Sequence, residues 1–212
     1  MRQIRAAEKL IRKKRRQYEN QNRQFADMQP DSQLTEYLDR MTFINKDGDT
    51  CEFTRLQKHD LNLVLQKRYA LLNWQQGSGK TAAVYHRAKY LLKFHKVRNA
   101  VILAPAIATN MTWIPFLSMN RERFRVVRNN TDLETVPEGV FLILSTSMLS
   151  KLERGLSKFV RRTSGKLCLV FDESDEITNP SSQRTRLVLS IFRRLKYKSE
   201  LQSCCEYFIR WL

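Results

Sequence analysis

The chain has 212 residues, which is enough for one domain of ordinary size with a short appendage and too few for two full lobes. Lys and Arg outnumber Asp and Glu by 38 to 21, and the resulting net charge of +17 makes a polyanion such as DNA, RNA or an anionic surface the expected partner. The sequence has no apolar run of membrane-spanning length, no signal-peptide core and no zinc-type spacing of its four cysteines, so we expect an intracellular protein with reduced thiols and no membrane contact.

The first 28 residues predict a basic helix. They contain neither Gly nor Pro, and an apolar residue recurs every seven positions, at Ile4, Ile11, Tyr18 and Phe25. The basic block at residues 12–16 would either grip phosphates or form a solvated helix face, and both interpretations stay open. Pro30 and a turn-forming stretch at residues 45–50 follow. Residues 1–50 are therefore predicted to be a basic helical arm and linker.

From residue 51 onward, apolar runs rich in β-forming residues alternate with longer amphipathic runs. We predict strands near Tyr69–Trp74, Ala100–Ala104, Phe124–Val127, Val140–Ser145 and Leu167–Asp172. Helical patterns lie around Leu56–Gln66, Lys80–Phe94, Thr109–Met119, Met148–Arg161 and Ser181–Leu195. Repeated alternation of strand and helix predicts an α/β fold, with a parallel sheet and helices on both of its faces.

A glycine-rich loop follows the first predicted strand and precedes a helix. It reads Gly77, Ser78, Gly79, Lys80, Thr81. Glycines let successive backbone N–H groups turn inward around a polyphosphate, and the N-terminal amides of the next helix add partial positive charge. Lys80 would reach the β- and γ-phosphates and the Thr81 hydroxyl would bind magnesium, so the loop predicts ATP and Mg²⁺ as cofactors. The strict phosphate-loop pattern also has an earlier glycine, at the position that Trp74 occupies here.

Two carboxylates end a later apolar strand. Asp172 follows Leu167–Phe171 directly and would hold the magnesium ion, whereas Glu173 would orient or deprotonate the attacking water. A carboxylate-rich turn after a strand is common by itself. Its combination with the phosphate loop predicts a site for ATP hydrolysis in which Lys80, Asp172 and Glu173 are catalytic.

Four segments together resemble superfamily-two helicases and translocases, and within them most closely the Swi/Snf family of DNA translocases. They are the loop at 77–81, residues 101–105 with Trp113, residues 144–149, and the acidic box at 172–175 with its continuation at 179–182. The resemblance covers roughly residues 52 to 198. Relatives usually lack the earlier glycine of the phosphate loop, so Trp74 is compatible with the motif.

The resemblance implies that residues 51–198 are the N-terminal RecA-like ATP-binding lobe of a helicase or translocase. It implies that Gln57, Gly77, Ser78, Gly79, Lys80 and Thr81 bind the nucleotide, with Gln57 recognising adenine. It further implies that Pro105, Ser145 and Thr146 contact the backbone of a nucleic acid, with double-stranded DNA as the expected partner.

Two departures from the family pattern affect the expected activity. Asp175 stands where close relatives usually have histidine, which bears on the coupling of hydrolysis to movement. Residues 199–212 are predicted to be an atypical tail in place of the next family motif, so we expect this sequence to lack the second lobe that supplies the arginine finger in the family. We expect a truncated or frame-disrupted product that binds ATP and turns it over poorly unless another chain, or a continuation of this one, provides a second RecA-like lobe.

Two further functions are compatible with these motifs. One is a non-catalytic module that binds nucleic acid in a nucleotide-dependent way. The other is a small P-loop kinase, which would need a pocket for an acceptor substrate. The segments around Pro105 and Ser145 favour nucleic acid over a small acceptor.

Overall fold

The computed structural model of the chain describes residues 27–201 apart from 73, 76, 95, 174–178 and 180. The predicted basic helix, Asp175 and most of the predicted tail lie outside the described residues. The division into arm, lobe and tail therefore stays a prediction.

A six-stranded parallel sheet forms the centre of the described part of the chain. In chain order its strands are β3 (Tyr69–Leu72), β4 (Asn99–Ala104), β5 (Phe124–Val126), β6 (Phe141–Ser145), β7 (Leu167–Phe171) and β8 (Tyr197–Leu201). The spatial order is β3-β8-β7-β4-β6-β5, and every neighbouring pair is parallel. This is the predicted α/β fold of RecA-like type.

Helices cover both faces of the sheet. The main ones are α1 (Ser32–Asp39), α2 (Arg55–Leu65), α3 (Lys80–Lys93), α5 (Leu149–Arg162) and α6 (Gln183–Phe192). Successive strand residues point to opposite faces, so Ala100 and Ile102 pack with α2 and α3, whereas Val101 and Leu103 pack with α5 and α6. Strands buried on both faces need continuous apolar sequence, which is why β4, β6 and β7 were predictable.

Helix α4 occupies residues 106–119 and has an unusual middle. Its first part, Ala106–Ala108, and its last part, Ile114–Met119, are α-helical, and Thr109–Trp113 between them is π-helical. The predicted helix at Thr109–Met119 is therefore present but begins three residues earlier. The wider π-helical turn places Trp113, which is completely buried, on the side of the helix that faces the sheet.

A small substructure precedes the sheet. Strands β1 (Thr42–Ile44) and β2 (Thr50–Glu52) form an antiparallel pair next to α1. Leu38 of α1 is 1% exposed and belongs to the core cluster that α2 and α3 share with the sheet. Part of the segment predicted as arm and linker thus packs against the α/β sheet.

Strand β8 is absent from the sequence-based prediction. Its residues Lys198 and Ser199 are polar, but both are buried and have polar partners. The Ser199 hydroxyl accepts a hydrogen bond from the Arg87 guanidinium at 2.6 Å, and the Lys198 ammonium donates to the Arg193 carbonyl at 2.8 Å. These bonds allow a polar segment to occupy an interior strand position.

No helix in the described part of the chain is both long enough and apolar enough to cross a membrane.

Candidate functional site

The loop after β3, which the sequence predicts to bind phosphate, contains two glycines in a left-handed backbone conformation. Gly77 and Gly79 have φ angles of +78° and +81°, a left-handed conformation that glycine adopts without steric strain. Gly79 is the N-terminal cap of α3, so the first free amides of that helix open directly onto the loop. Backbone donors and the positive end of a helix therefore meet at one place, which is the requirement for binding an anion.

Side chains of the loop hold it in a closed arrangement. The Lys80 ammonium donates to the carbonyls of Trp74 at 2.6 Å and Gln75 at 3.0 Å. The Ser78 hydroxyl and its amide both donate to the Gln75 carbonyl. Lys80 thus spans the loop from its helical end to its strand end, and its charge lies where polyphosphate oxygens would compete for it. Thr81 is the next residue of α3 and is partly buried.

Gln57 contacts the phosphate loop although it lies on a different helix. Its Nε2 donates to the Ser78 carbonyl at 2.9 Å, and its Oε1 accepts from the Thr54 amide at 2.7 Å in a capping box at the start of α2. An amide side chain has two donors and two acceptor positions. Each of these two bonds uses only one of them, so the Gln57 amide retains a donor and an acceptor position for a ligand.

Asp172 and Glu173 follow β7, as predicted. Oδ2 of Asp172 accepts a hydrogen bond from the indole Nε1 of Trp113 at 2.8 Å, and the Asp172 amide donates to the Leu103 carbonyl at 2.8 Å. Glu173 is exposed and has a φ of +54°, which is unusual for a residue with a side chain. The carboxylate of Asp172 is thus fixed from its side chain and its backbone, and Glu173 is turned outward by a strained backbone.

The phosphate loop and Asp172 lie at the same edge of the sheet. In the register of the parallel strands, Leu72 at the end of β3 pairs with Leu201, and Phe171 at the end of β7 pairs with Glu200. Strand β8 is the single strand between them. Neighbouring strands lie about 5 Å apart, so the ends of β3 and β7 are separated by about 10 Å. A magnesium-bound triphosphate has the size to bridge such a gap.

The residues predicted to contact nucleic acid follow the next two strands at this edge. Pro105 comes after β4 and caps α4, and Ser145 ends β6 and pairs in register with Ala104. The Ser145 hydroxyl caps the following turn and lies 2.8 Å from that of Ser147, which is exposed. Thr146, by contrast, is only 4% exposed, so its side chain would reach a bound strand only after a local rearrangement.

A basic groove lies at the far ends of α5 and α6. Helix α5 ends in Arg161 and Arg162, and Arg193 and Arg194 directly follow α6. The groove between the two helix ends has a volume of about 470 Å³ and is lined by Ser157, Val160, Arg161, Leu189, Ser190, Ile191, Arg193 and Arg194. A smaller groove of about 340 Å³ lies at the starts of the same helices, beside Thr146, Ser147 and Arg184. Positive charge therefore lies in two places, near the sheet edge that carries the loop after β3 and in a groove far from that edge.

Comparison with known proteins identifies the fold through solved structures. The chain superposes on the SWI2/SNF2 ATPase core of Sulfolobus solfataricus in complex with double-stranded DNA with a TM-score of 0.59 and 16% sequence identity, over 73% of this chain and 32% of that one. It superposes on the UvsW helicase of bacteriophage T4 with TM-scores of 0.60 and 0.57 in two crystal structures, at 14% and 13% identity. The fold is that of helicase ATPase cores. No family model and no curated protein matches the chain.

The chain spans a limited part of these neighbours. The two UvsW superpositions each include 80% of this chain, but they include only 33% and 58% of the respective UvsW chains. At these identities the likeness concerns the fold, and the RecA-like α/β sheet predicted from the sequence is confirmed.

One contact of the site was not predictable from motifs. Trp113 belongs to a segment that carries the family resemblance, but its bond to Asp172 joins residues 59 positions apart. A buried tryptophan needs an acceptor for its indole N–H, and this general rule was the only available signal. Which acceptor it finds depends on the packing of α4 against the sheet.

Proposed function

We propose that this chain is the ATP- and magnesium-binding lobe of a nucleic-acid-dependent ATPase of helicase or translocase type. The observation that carries the proposal is the shared edge of the sheet. The phosphate loop, Asp172, Pro105 and Ser145 follow different strands but open onto the same edge, where open α/β sheets bind their ligands. A nucleotide and a nucleic-acid strand would lie side by side there.

The nucleotide would be held by the loop and by the start of α3. Amides of Gly77 to Thr81 would bind the phosphates, and Lys80 would exchange its two carbonyl partners for β- and γ-phosphate oxygens. The remaining donor and acceptor positions of Gln57 match those of an adenine edge, which supports its assignment to the base.

The residues available for magnesium fit this hard cation. Mg²⁺ prefers oxygen ligands and retains several waters, and the Thr81 hydroxyl and the Asp172 carboxylate are oxygen donors at the two sides of the gap between β3 and β7. When bound, the ion neutralises charge on the transferred phosphoryl group. Glu173 would orient the attacking water and accept its proton.

Nucleic acid would be bound through its backbone and without sequence preference. The turns after β4 and β6 would contact phosphates at Pro105 and Ser145, whereas Thr146 would contribute through its backbone because its side chain is buried. The net charge of +17 adds long-range attraction. Double-stranded DNA is the proposed partner, and a second RecA-like lobe, from another chain or from a continuation of this one, would supply the arginine finger for efficient turnover.

Nucleotide chemistry is tested with two variants. Lys80→Ala should abolish ATP binding, because the loop loses the cation that faces the phosphates. Glu173→Gln should bind ATP like the parent chain and lose any residual hydrolysis. Equal loss of binding in both variants would contradict the roles assigned to the two residues. Unchanged ATP binding by Lys80→Ala would refute the site itself.

Nucleic-acid binding is tested with two serine variants of equal charge change. Ser145→Asp adds one negative charge at the loop edge and keeps a capping oxygen, whereas Ser157→Asp adds one in the distant basic groove. We expect Ser145→Asp to weaken binding of duplex DNA more strongly. Affinity of the parent chain should fall with salt with a log–log slope of about −0.9 for each phosphate neutralised. A stronger effect of Ser157→Asp would identify the groove, and not the loop edge, as the binding surface.

The non-catalytic alternative predicts a different result for the parent chain and Glu173→Gln. A nucleotide-dependent binding module would bind ATP and DNA but show no hydrolysis that Glu173→Gln removes, even when a second lobe is supplied. The kinase alternative requires an acceptor substrate, and phosphoryl transfer to such a molecule would be independent of DNA.

A further inference from the structure

Trp113 joins two parts of the molecule that otherwise belong to different motifs. Its indole Nε1 is a donor only, and it points at Oδ2 of Asp172 at 2.8 Å. Trp113 is 0% exposed, so its ring is held by packing on every side and has little freedom to follow a carboxylate that moves. The bond therefore fixes the carboxylate relative to helix α4.

The other end of the same helix lies at the surface. Pro105 caps α4, and the exposed side chains of Ile107 and Met111, at 78% and 75%, show that its first turns face outward. The π-helical turn Thr109–Trp113 connects this outward end to Trp113. Single π-helical turns interrupt the regular hydrogen-bond ladder and are frequent at functional sites.

Resting on the function proposed above, we propose that Trp113 is a positioning residue for Asp172. It holds the magnesium-binding carboxylate in place and links it to the helix that begins at Pro105, so that nucleic acid bound at the start of α4 changes the affinity for magnesium nucleotide. The indole bond occupies one of about four acceptor positions of the carboxylate and leaves its charge intact. Trp113 itself does not touch nucleotide or metal.

The proposed coupling between DNA and magnesium nucleotide can be measured from either ligand. If DNA changes the affinity for magnesium nucleotide by some factor, magnesium nucleotide changes the affinity for DNA by the same factor. Trp113→Phe keeps a buried aromatic ring but removes the indole donor and part of the ring volume, so the arm without Mg²⁺ is needed to separate loss of the bond from loss of packing. The bond is made to a charged acceptor, so its loss should weaken binding of a non-hydrolysable ATP analogue about tenfold at limiting Mg²⁺. Binding of the same analogue in EDTA should not change.

The experiment is a fluorescence binding assay on the full chain with and without Mg²⁺ and with and without a short duplex DNA. Tyr85→Phe is the matched control, because it removes another buried aromatic donor, to Glu122 at 2.6 Å, on the same face of the sheet. We expect the control to behave like the parent chain, and Trp113→Phe to bind the analogue about tenfold more weakly at limiting Mg²⁺ and to lose the effect of DNA. Equal weakening with Mg²⁺ and with EDTA would show general damage and would overturn the proposal, as would a DNA effect that survives in Trp113→Phe.

A second measurement uses the unsubstituted indole, should Trp113→Phe fail to fold. The sequence has three tryptophans, so ¹⁵N-labelled chain gives at most three indole signals, and Trp74→Phe and Trp211→Phe assign the third. Adding Mg²⁺ to the analogue-bound chain should shift the Trp113 indole signal, and an unmoved signal would overturn the proposal. If the parent chain binds no analogue at all, the proposed function fails before Trp113 is tested.

Discussion

Acidification should destabilise this chain through one buried histidine. His86 of α3 is 2% exposed and packs against the rings of Phe43, Phe53 and Tyr85, with centroid distances of 6.0, 5.2 and 4.7 Å. Among the described residues, neither of its ring nitrogens has a hydrogen-bond partner. Protonation would place an unpaired charge among aromatic rings, so the folded chain requires the neutral form.

The size of the effect follows from the two pKa values. Burial, with a smaller contribution from the charge of Lys89, lowers the pKa of His86 from 6.5 to about 4. The unfolded chain takes up this proton near pH 6.5 and the folded chain does so only near pH 4. The contribution of neutral His86 to the free energy of unfolding is therefore fully present above pH 6.5 and is lost as the pH falls toward 4. The full difference corresponds to about 3 kcal/mol, and about 2 kcal/mol of it should be lost between pH 7 and pH 5.

Urea unfolding at pH 7, 6 and 5, followed by circular dichroism, measures this loss directly. His86→Phe should remove most of the pH dependence, because a phenyl ring fills a similar space and takes up no proton. His59→Gln is the control, since His59 is an exposed histidine on α2, and it should retain the dependence of the parent chain. If His86→Phe loses as much stability on acidification as the parent chain does, His86 is not the group responsible.

Three further substitutions test the backbone and the interior. Gly79→Ala should lower both stability, by about 1 kcal/mol, and ATP affinity, because a φ of +81° is unfavourable for alanine; unchanged affinity would argue against the loop conformation. Glu173→Gly should be about 1 kcal/mol more stable in urea than Glu173→Ala, since both lack the carboxylate but only glycine relieves the φ of +54°. Arg87→Met should cost about 3 kcal/mol in the same assay, because the buried Ser199 hydroxyl and two partly buried carbonyls lose a charged donor, and a neutral outcome would show that their bonds are dispensable.

The parts of the fold that were predictable share one property. Strands β4, β6 and β7 are buried on both faces and are continuously apolar, and the helices between them carry periodic apolar residues. The phosphate loop was predictable for a different reason. A loop that wraps a polyphosphate needs glycines at particular positions, and the positive φ angles of Gly77 and Gly79 agree with that sequence pattern.

Contacts between distant residues were beyond sequence reasoning. Trp113 and Asp172 are 59 positions apart, and Arg87 and Ser199 are 112 positions apart. Such pairs depend on how helices pack onto the sheet, which local periodicity does not encode. The burial of Thr146 is a similar case, because threonine is usually exposed and this one, directly after β6, is only 4% exposed.

Strand β8 was not predictable for two reasons, its polar sequence and its dependence on contacts with distant residues. It also bears directly on the candidate site. It lies between β3 and β7, so it sets the distance between the phosphate loop and Asp172. Its polar residues gave no strand signal, and its place depends on Arg87, whose guanidinium bonds to Ser199 and to two carbonyls just before β3. Arg87 lies on α3, the helix that begins at Lys80. One buried arginine therefore ties the helix of the phosphate loop to the strand that separates the loop from its carboxylate, and the spacing of the site depends on residues that no nucleotide-binding motif contains.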